Sequence, residues 1–378
     1  MGAFNPLGPT GLDQSLIPVE VRAKYYEEVL LSTDLTPFMG AQPSSAIQVE
    51  YKKMGTGSTL SVPFSKEIDY KNPIKGNFAQ ISGKGQNLQF YEDQVSVDML
   101  SLADKLQGIQ FMNLETPVDV FDALKPKLQT AHRRNIVYSL IQSATTGNYP
   151  NFANGPVADR VIYSAPVNAP IYNANIQTSL DAMAGNTSAY NSSGLSVNLI
   201  RKLRDYAIGG GISFENEKRI SPIMLATSKN AWVPTYVYLM DTPSYRSLCQ
   251  DPLFSGQFTR GIIESVINQP SLLKGAFYKG MIDNVEIYEC PELGNFQQKS
   301  SNLASTFSWN LFMGAQAFML LWGEQPWFSL EYSNHRTIVE MAMLEIRGQK
   351  PLMFPSFNND QRPVENGLIH SFVNITGL

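Results

Sequence analysis

The chain has 378 residues, of which 43% are hydrophobic and 16% charged, and its formal net charge is −4. This composition excludes a disordered chain, and it allows a sizeable core in one large domain or in several smaller ones. The slight excess of acidic residues argues against a dedicated nucleic-acid reader with a basic face, although local patches of Lys and Arg could still contact DNA loosely.

The cysteine content and the first residues favour a protein that folds in the cytosol. Cys249 and Cys290 are the two cysteines of the chain, and neither belongs to a CxxC pair. We therefore expect reduced thiols rather than a disulfide framework. The opening MGAFNPLGPTGLDQSL has neither the basic nor the apolar segment of a secretory signal.

The first fifty residues are predicted to form an arm followed by a helix. Residues 1–20 are rich in Gly and Pro, which is typical of an extended arm that partners order. In VEVRAKYYEEVLLSTDL, the side chains of Val21, Tyr25 and Val29 fall on one face with charged residues opposite. This spacing indicates a helix, which Pro37 would end.

Residues 47–100 change to the period of strands. IQVEYKK, STLSVPF and LQFYEDQVSVDML each alternate apolar and polar side chains, as half-buried strands do. Before the last of them lies KEIDYKNPIKGNFAQISGKGQN, an excursion at 66–87 that is polar and rich in Gly and Lys. A segment with so few apolar residues buries little of itself, so we expect it to gain order by lying on a neighbouring subunit.

The clearest helix is predicted over residues 116–146. Thr116 is a good N-cap, and Pro117 suits the first helical position. Apolar residues recur at spacings of three, four and seven: Phe121, Leu124, Leu128, Ala131, Tyr138 and Ile141. Pro126 lies inside the pattern and is expected to kink the helix or split it.

A loop and a second helix follow. Residues 147–194 are dominated by Asn, Ala, Pro, Ser and Tyr, which is typical of a loop. In LSVNLIRKLRDYAI (195–208) the spacing of Leu195, Leu199, Leu203 and Tyr206 predicts a helix. The glycines at 209–211 would end it.

The later segments are mostly predicted strands. ISPIMLATSKNAW predicts a strand, a turn and the start of another helix, and NVEIYECPEL predicts a short strand that Pro291 ends. TIVEMAMLEIRG is apolar on both faces of a strand except for Glu340 and Glu345. Long strands with one long helix and no internal repeat indicate an α+β fold.

The most apolar stretch is LFMGAQAFMLLWGEQPWFSL, which spans 311–330. Its uninterrupted apolar part is too short for a membrane helix, which needs about 18–20 residues. Small side chains at Gly314, Ala315 and Ala317 would let another backbone approach, and residues 318–322 are predicted to be buried on both faces. An aromatic floor for a ligand remains an alternative to this core interpretation.

No catalytic, cofactor-binding or metal-binding constellation is predicted. His132, His335 and His370 have no metal-ligand spacing and are interpreted as structural or surface residues. GNFAQISGKG fails the phosphate-loop pattern, because Lys84 is followed by Gly85 rather than Ser or Thr. Carboxylates that are remote in sequence could still form a glycosidase pair. A large core, partner-seeking arms and no recognisable active site favour a structural subunit that assembles.

The order of the segments resembles the major capsid proteins of tailed bacteriophages, in particular the podophage type. Three motifs carry the resemblance, namely GTGSTLSVP at Gly55–Pro63, MGAQA at Met313–Ala317 and IRGQKPLMF at Ile346–Phe354. The resemblance spans roughly residues 20–355. It implies an α+β capsid fold with an N-terminal arm, an extended loop, a peripheral domain with a long spine helix, and an axial domain.

By this resemblance the chain divides into five segments. They are the N-terminal arm and helix (1–50), the extended-loop strands (51–112), the peripheral domain with the spine helix 116–146 and a loop insertion (113–194), the axial domain (195–325), and the return strands of the peripheral domain with the C-terminal tail (326–378). The apolar stretch at 311–330 would then be core where the axial and peripheral parts meet. Pro126 and the loop at 147–194 depart from the family pattern.

The resemblance implies a non-enzymatic protein that self-assembles, as pentamers and hexamers, into an icosahedral shell around double-stranded DNA. Subunit contacts are assigned to residues on and beside the excursion: Tyr70, Lys75, Phe78, Lys84 and Phe90. Scaffold, portal and decoration proteins are implied as partners, together with non-specific contact with packaged DNA and no membrane. Assembly would occur in the host cytoplasm, and the mature location would be the virion capsid.

Three alternatives belong to other classes. A non-viral shell of the same fold would enclose a cargo and leave the particles free of DNA. A carbohydrate-active enzyme would lose its activity when a single Asp or Glu is replaced. A tail-tube or decoration protein would be shorter and would lack the long helix.

Overall fold

The computed structural model describes residues 35–65, 90–107, 120–145, 161–163, 194–209, 219–226, 232–257, 278–293, 307–333, 338–355 and 363–374. Apart from Leu35, the predicted helix over VEVRAKYYEEVLLSTDL lies outside these ranges, as do the excursion and most of the loop at 147–194.

In the described ranges, helices are interspersed among runs of consecutive strands. The helices are α1 (Val120–Thr145), α2 (Val197–Gly209), α3 (Thr242–Gln250) and α4 (Pro252–Gln257), and a 3-10 turn spans Thr36–Phe38. The strands are β1 (Met39–Gly40), β2 (Ile47–Tyr51), β3 (Thr59–Ser65), β4 (Phe90–Ser96), β5 (Asp98–Gln107), β6 (Val161–Tyr163), β7 (Ile223–Ala226), β8 (Trp232–Met240), β9 (Tyr278–Ile282), β10 (Val285–Glu289), β11 (Phe307–Met313), β12 (Phe318–Ser333), β13 (Ile338–Pro351), β14 (Met353–Pro355), β15 (Pro363–Glu365) and β16 (Leu368–Asn374).

A five-stranded sheet carries the long helix α1 on one face. Its order is β1-β2-β12-β13-β5, with β12 parallel to β2 and antiparallel to β13. The helix contributes Ile136 and Leu140 to a core shared with Leu320 and other side chains of the sheet. Because side chains alternate across a strand, every second residue of β12 and β13 faces α1.

The opposite face of this sheet carries the β3–β4 ribbon, in which β3 and β4 pair antiparallel. Val62 and Val95 of the ribbon pack with Met319, Leu321 and Ile346 of the sheet. The strand predictions for IQVEYKK, STLSVPF and the described part of LQFYEDQVSVDML are confirmed by β2, β3, β4 and the first residues of β5, which continues to Gln107 beyond the predicted segment.

A second sheet has the order β6-β16-β11-β8-β10-β9, and β7 also pairs with β8. Helix α2 packs on it through Leu199 and Leu203, which share a core with Tyr238 and Phe312. The helix predicted over 195–208 is thus confirmed, with bounds shifted by one or two residues.

The apolar stretch connects the two sheets. Strand β11 lies in the second sheet, β12 lies in the five-stranded sheet, and a turn at residues 314–317 joins them. Gly314 N donates to Gly367 O at 2.8 Å, and Ala315 N donates to Ser221 O at 2.7 Å. A Cβ on Gly314 would lie 2.5 Å from Ser221 O, so the small residue permits this approach.

The predicted burial of 318–322 on both faces is confirmed, since each of these side chains is at most 2% exposed. Alternate residues face the α1 core and the ribbon core. No helix in the described ranges is long and apolar enough to cross a membrane.

Helix α1 differs from the prediction in two respects. It continues through Pro126 as one helix, so it is not split there. Pro126 is exposed. The predicted apolar face is also shifted, because Ala131 is exposed and Tyr138 is half-buried while Ile136 and Leu140 are fully buried.

The helix start predicted at the end of ISPIMLATSKNAW is wrong. After β7 the next described element is the strand β8, not a helix. Its residues 235–240 are buried, between β10 and β11 in the middle of the sheet. A central strand is apolar on both faces, so its sequence lacks the alternation that would have identified it.

Candidate subunit-contact site

The β3–β4 ribbon packs on the five-stranded sheet and belongs to the chain segment 51–112, for which an extended loop is expected. Its pairing runs from Thr59 opposite Ser96 to Ser65 opposite Phe90. A two-stranded ribbon is marginally stable alone, so its attachment to the sheet decides where it lies.

Two glycines let the ribbon, and the segment that leads into β3, pass close to the sheet. A Cβ on Gly348 of β13 would lie 2.1 Å from the backbone oxygen of Ser96. A Cβ on Gly323 of β12 would lie 2.9 Å from Met54 O. A side chain at either position would push the two layers apart.

Asp93 ties the ribbon to two further strands. Its carboxylate pairs with the Lys350 ammonium on β13, and its Oδ2 accepts a hydrogen bond from Met353 N of β14 at 3.0 Å. The side chains of Lys350 and Asp93 are 17% and 12% exposed. Partly buried, hydrogen-bonded ion pairs of this kind are stronger than surface pairs.

Of the five residues assigned to subunit contacts, Phe90 lies within the described ranges. Phe90 is the first residue of β4 and pairs with Ser65. Tyr70, Lys75, Phe78 and Lys84 lie outside the described residues, so their assignment stays a prediction.

Within the described residues, the same face of the sheet beside the ribbon is uncovered over the far parts of β5, β12 and β13. Alternate β5 residues point out on this face and are exposed: Met99, Ser101, Ala103 and Lys105. The alternate residues of β13 on the other face, Met341 and Met343, are fully buried under α1. We call the uncovered region the open face.

The open face carries a row of three charges. Glu331 on β12 lies directly opposite Glu340 on β13, and Glu340 lies directly opposite Lys105 on β5. Both glutamates are exposed. Like charges directly opposite each other are unfavourable, so the row retains a net negative charge that a cationic group would stabilise.

Between α1 and the sheet lies a buried charged cluster. His132 Nε2 is 2.7 Å from Glu345 Oε2, and Arg347 Nη1 is 3.1 Å from Glu345 Oε1. Arg347 Nη2 also donates to Asn135 Oδ1 at 2.7 Å and to Ser139 Oγ at 3.2 Å. Burial lowers the pKa of the Arg347 guanidinium, and the Glu345 carboxylate opposes this shift.

This cluster fixes α1 on β13 rather than performing chemistry. The side chains of His132, Glu345 and Arg347 are at most 1% exposed, so no substrate can reach them. His132 is thus a buried residue whose ring contacts the Glu345 carboxylate. Its carboxylate partner was missed, although an acidic residue in a strand that is apolar on both faces is itself a signal of a buried ion pair.

His370 is also structural. Trp309 Nε1 donates to His370 Nδ1 at 3.1 Å, which leaves the proton on Nε2, 3.0 Å from each carboxylate oxygen of Glu365. Both His370 and Glu365 are fully buried, and their contact joins β15 to β16. His335 lies outside the described residues.

A buried group of hydroxyls near α3 has the composition of a catalytic site but serves as a helix cap. Asp241 Oδ1 accepts from Ser244 N at 2.9 Å and from the Ser308 hydroxyl at 2.5 Å. Asn310 Nδ2 donates to Ser244 Oγ at 2.9 Å. Asp241 is the N-cap of α3, and all four side chains are buried, so we assign them to folding.

Metal sites and disulfides are two further structures that the described residues could contain. Within those ranges no three His, Cys, Asp or Glu side chains are grouped to hold a metal ion. Cys249 is exposed, Cys290 is buried, and neither forms a disulfide, as expected for reduced thiols.

Comparisons of sequence give no relative, since no protein-family model and no curated protein matches the chain. Comparisons of structure give several matches. The chain is similar to a chain in the capsid of Ralstonia phage GP4, with a TM-score of 0.68 and 16% identity over 89% of both chains. A chain of the cyanophage Pam1 capsid matches with a TM-score of 0.63 and 17% identity, covering 92% of this chain and 93% of that one.

A chain from the head of Helicobacter pylori bacteriophage KHP40 matches with a TM-score of 0.62 and 14% identity, over 91% of this chain and 92% of that one. These matches extend over about nine-tenths of both partners. The chain therefore has the α+β fold of tailed-phage capsid proteins, as the order of its sequence motifs predicts.

Proposed function

We propose that the protein is a major capsid protein, which self-assembles into the icosahedral shell enclosing the double-stranded DNA of a tailed phage. The observation that carries the proposal is the agreement over about nine-tenths of the length with chains from phage capsids and heads. The absence of a recognisable active site in the described residues is compatible with a structural, non-enzymatic role.

The five segments keep their proposed roles. Helix α1 is the spine helix, and with the five-stranded sheet it forms the peripheral domain. The second sheet with α2 belongs to the axial domain (195–325), and the return strands lie in 326–378. The β3–β4 ribbon with the excursion is the extended loop (51–112), which follows the N-terminal arm and helix (1–50).

We assign the main contact between copies to the excursion of one copy and the open face of its neighbour. The excursion contains four lysines, including Lys75 and Lys84, against two carboxylates. The open face presents Glu331 beside Glu340. This charge complementarity supports a contact in which Tyr70, Phe78 and Phe90 add apolar area.

The remaining proposed partners are those that a capsid shell requires. Pentamers and hexamers of one chain would form the lattice, with scaffold, portal and decoration proteins as further partners. The inner wall would meet packaged DNA through sequence-independent contacts, and a net charge of −4 suits a wall that confines DNA without binding it tightly. The proposed site of assembly is the host cytoplasm, and the proposed final location is the virion capsid.

The proposal is tested by sedimentation velocity and negative-stain electron microscopy of the full chain expressed alone. Closed polyhedral shells, or rings of five and six copies, are the expected result. A compact monomer that persists across a range of concentrations and salts would overturn the proposal. Closed particles that enclose a protein cargo and no DNA during infection would favour the alternative of a cargo shell.

A further inference from the structure

We propose that Asp93 is a positioning residue, which sets the direction of the β3–β4 ribbon and thereby the geometry of the assembled shell. The inference rests on the proposed function, because it concerns how the contact between copies is aimed. It assigns to Asp93 and Lys350 a role in choosing the particle that forms, beyond holding the subunit together.

A directional contact is needed to fix the angle between the ribbon and the sheet. Val62 and Val95 attach it to the sheet by apolar packing, which is non-directional. The crossing at Gly348 fixes how closely the ribbon lies on the sheet, since Ser96 O occupies the space of the missing Cβ. Neither contact by itself prevents the ribbon from rotating about the crossing point.

Asp93 supplies the directional contact. It lies three residues outward from Ser96, and its two carboxylate oxygens reach two different strands. Oδ1 pairs with Lys350 Nζ on β13, while Oδ2 accepts from Met353 N on β14. Lys350 Nζ also approaches Gln94 O at 3.3 Å, so the ammonium holds β4 through a side chain and through the backbone.

The effect of this clamp is carried outward along the ribbon. Phe90 is three residues beyond Asp93, about 10 Å along the strand. A rotation at the clamp therefore displaces the outer end of the ribbon, which is the part proposed to meet the neighbouring copy. An interface between copies that tolerates several ribbon angles would allow shells of several curvatures.

The experiment compares two neutralising substitutions in adjacent residues of the same strand. Asp93→Asn removes the charge that pairs with Lys350 but keeps an oxygen for Met353 N. Glu92→Gln makes the same change in net charge at an exposed residue, whose Oε2 accepts from Ser61 Oγ within the ribbon. Lys350→Met and Lys350→Arg form a second pair, in which Arg restores the charge.

Assembly of each variant is followed by cryo-electron microscopy of the particles, and the thermal unfolding of the unassembled chain is measured in parallel. Asp93→Asn and Lys350→Met are expected to raise the fraction of misshapen or off-size particles roughly tenfold over Glu92→Gln. Lys350→Arg is expected to restore most of the uniformity.

The outcomes separate the two proposals. If the unsubstituted chain forms no shells, the proposed function is wrong, and the role of Asp93, which rests on it, is overturned as well. If it forms uniform shells and Asp93→Asn and Lys350→Met do so equally, the positioning role is wrong and the function stands. If a variant merely loses thermal stability and yields fewer particles of unchanged size, the pair is structural, and the inference is also overturned.

Discussion

Glu345 Oε2 lies 2.7 Å from His132 Nε2, in a position where both side chains are at most 1% exposed. This contact joins the long helix to strand β13 of the five-stranded sheet, and Arg347 completes it from the same strand. The stability of the subunit therefore depends on charges that are removed from water, where an incomplete pair costs more than an absent one.

Replacement of Glu345 by Gln should destabilise the subunit strongly, because it leaves the Arg347 charge buried without its carboxylate. We expect the free energy of unfolding to fall by about 3–5 kcal/mol. Denaturant titration of the unassembled chain measures it. Glu340→Gln, the same change at an exposed residue of the same strand, should alter stability by less than about 0.5 kcal/mol. Equal effects of the two substitutions would contradict the role of the cluster.

Gly348→Ala should destabilise the attachment of the ribbon, since the added Cβ would meet the backbone oxygen of Ser96 at 2.1 Å. Overpacking of this kind costs about 1–3 kcal/mol. Gly55→Ala is the matched control, because nothing lies within 4 Å of its Cβ position. Amide hydrogen exchange in β3 and β4 should rise in the first variant alone. Protection that is unchanged in Gly348→Ala would show that the ribbon is held elsewhere.

Glu286 should make the subunit less stable as the pH rises. Burial raises the pKa of this carboxyl above its ordinary value of 4.5, and the hydrogen bond from Tyr288 partly offsets the shift. The folded state therefore holds the proton more tightly than the unfolded state. Its stabilisation is fully present below pH 4.5 and is lost as the pH rises through the folded pKa.

Glu286→Gln should remove this dependence and raise the unfolding temperature at neutral pH relative to the unsubstituted chain. Thermal unfolding from pH 4 to 8 measures it, with Glu92→Gln as an exposed control. A parallel pH profile for both variants would mean that Glu286 is ionised at no cost in the folded protein.

Glu331→Gln should have opposite effects on the subunit and on the shell. It removes the repulsion with Glu340 and should stabilise the unassembled chain by about 0.2–1 kcal/mol. It also removes a charge that we assign to a lysine of the neighbouring excursion, so the concentration needed for assembly should rise. Asp205→Asn on the exposed face of α2 is the control. If light scattering gave the same threshold for both variants, the open face would not be the contact.

Much of the fold follows from local patterns. The strands of the ribbon alternate apolar and polar residues, and α2 repeats leucines at helical spacing, so both were predictable within two residues. The apolar run at 318–322 also behaves as predicted, because no half-exposed element can accommodate it. The order of these pieces, more than any one of them, pointed to the capsid fold.

The wrong predictions concern elements whose structure is set by tertiary contacts rather than by the local sequence. The sequence of β8 does not alternate apolar and polar residues, since a central strand is buried on both faces. For this reason the sequence predicts a helix start where β8 begins. Leu128 and Ile141 lie on the buried face of α1 as predicted, but Ala131 does not, because the sheet covers a slightly different stripe of the helix. The helix partner of Glu345, His132, lies over 200 residues away in the chain, and only the folded structure brings the two together.

The central claim is that copies of this chain form a closed shell in which the excursion of one copy lies on the open face of its neighbour. A cryo-electron microscopy reconstruction of particles assembled from the full chain tests it most directly. We expect capsomers of five and six copies, with density for residues 66–87 over Glu331 and Glu340 of the adjacent copy. Density that returns to its own chain, or a reconstruction without contact at the open face, would contradict it.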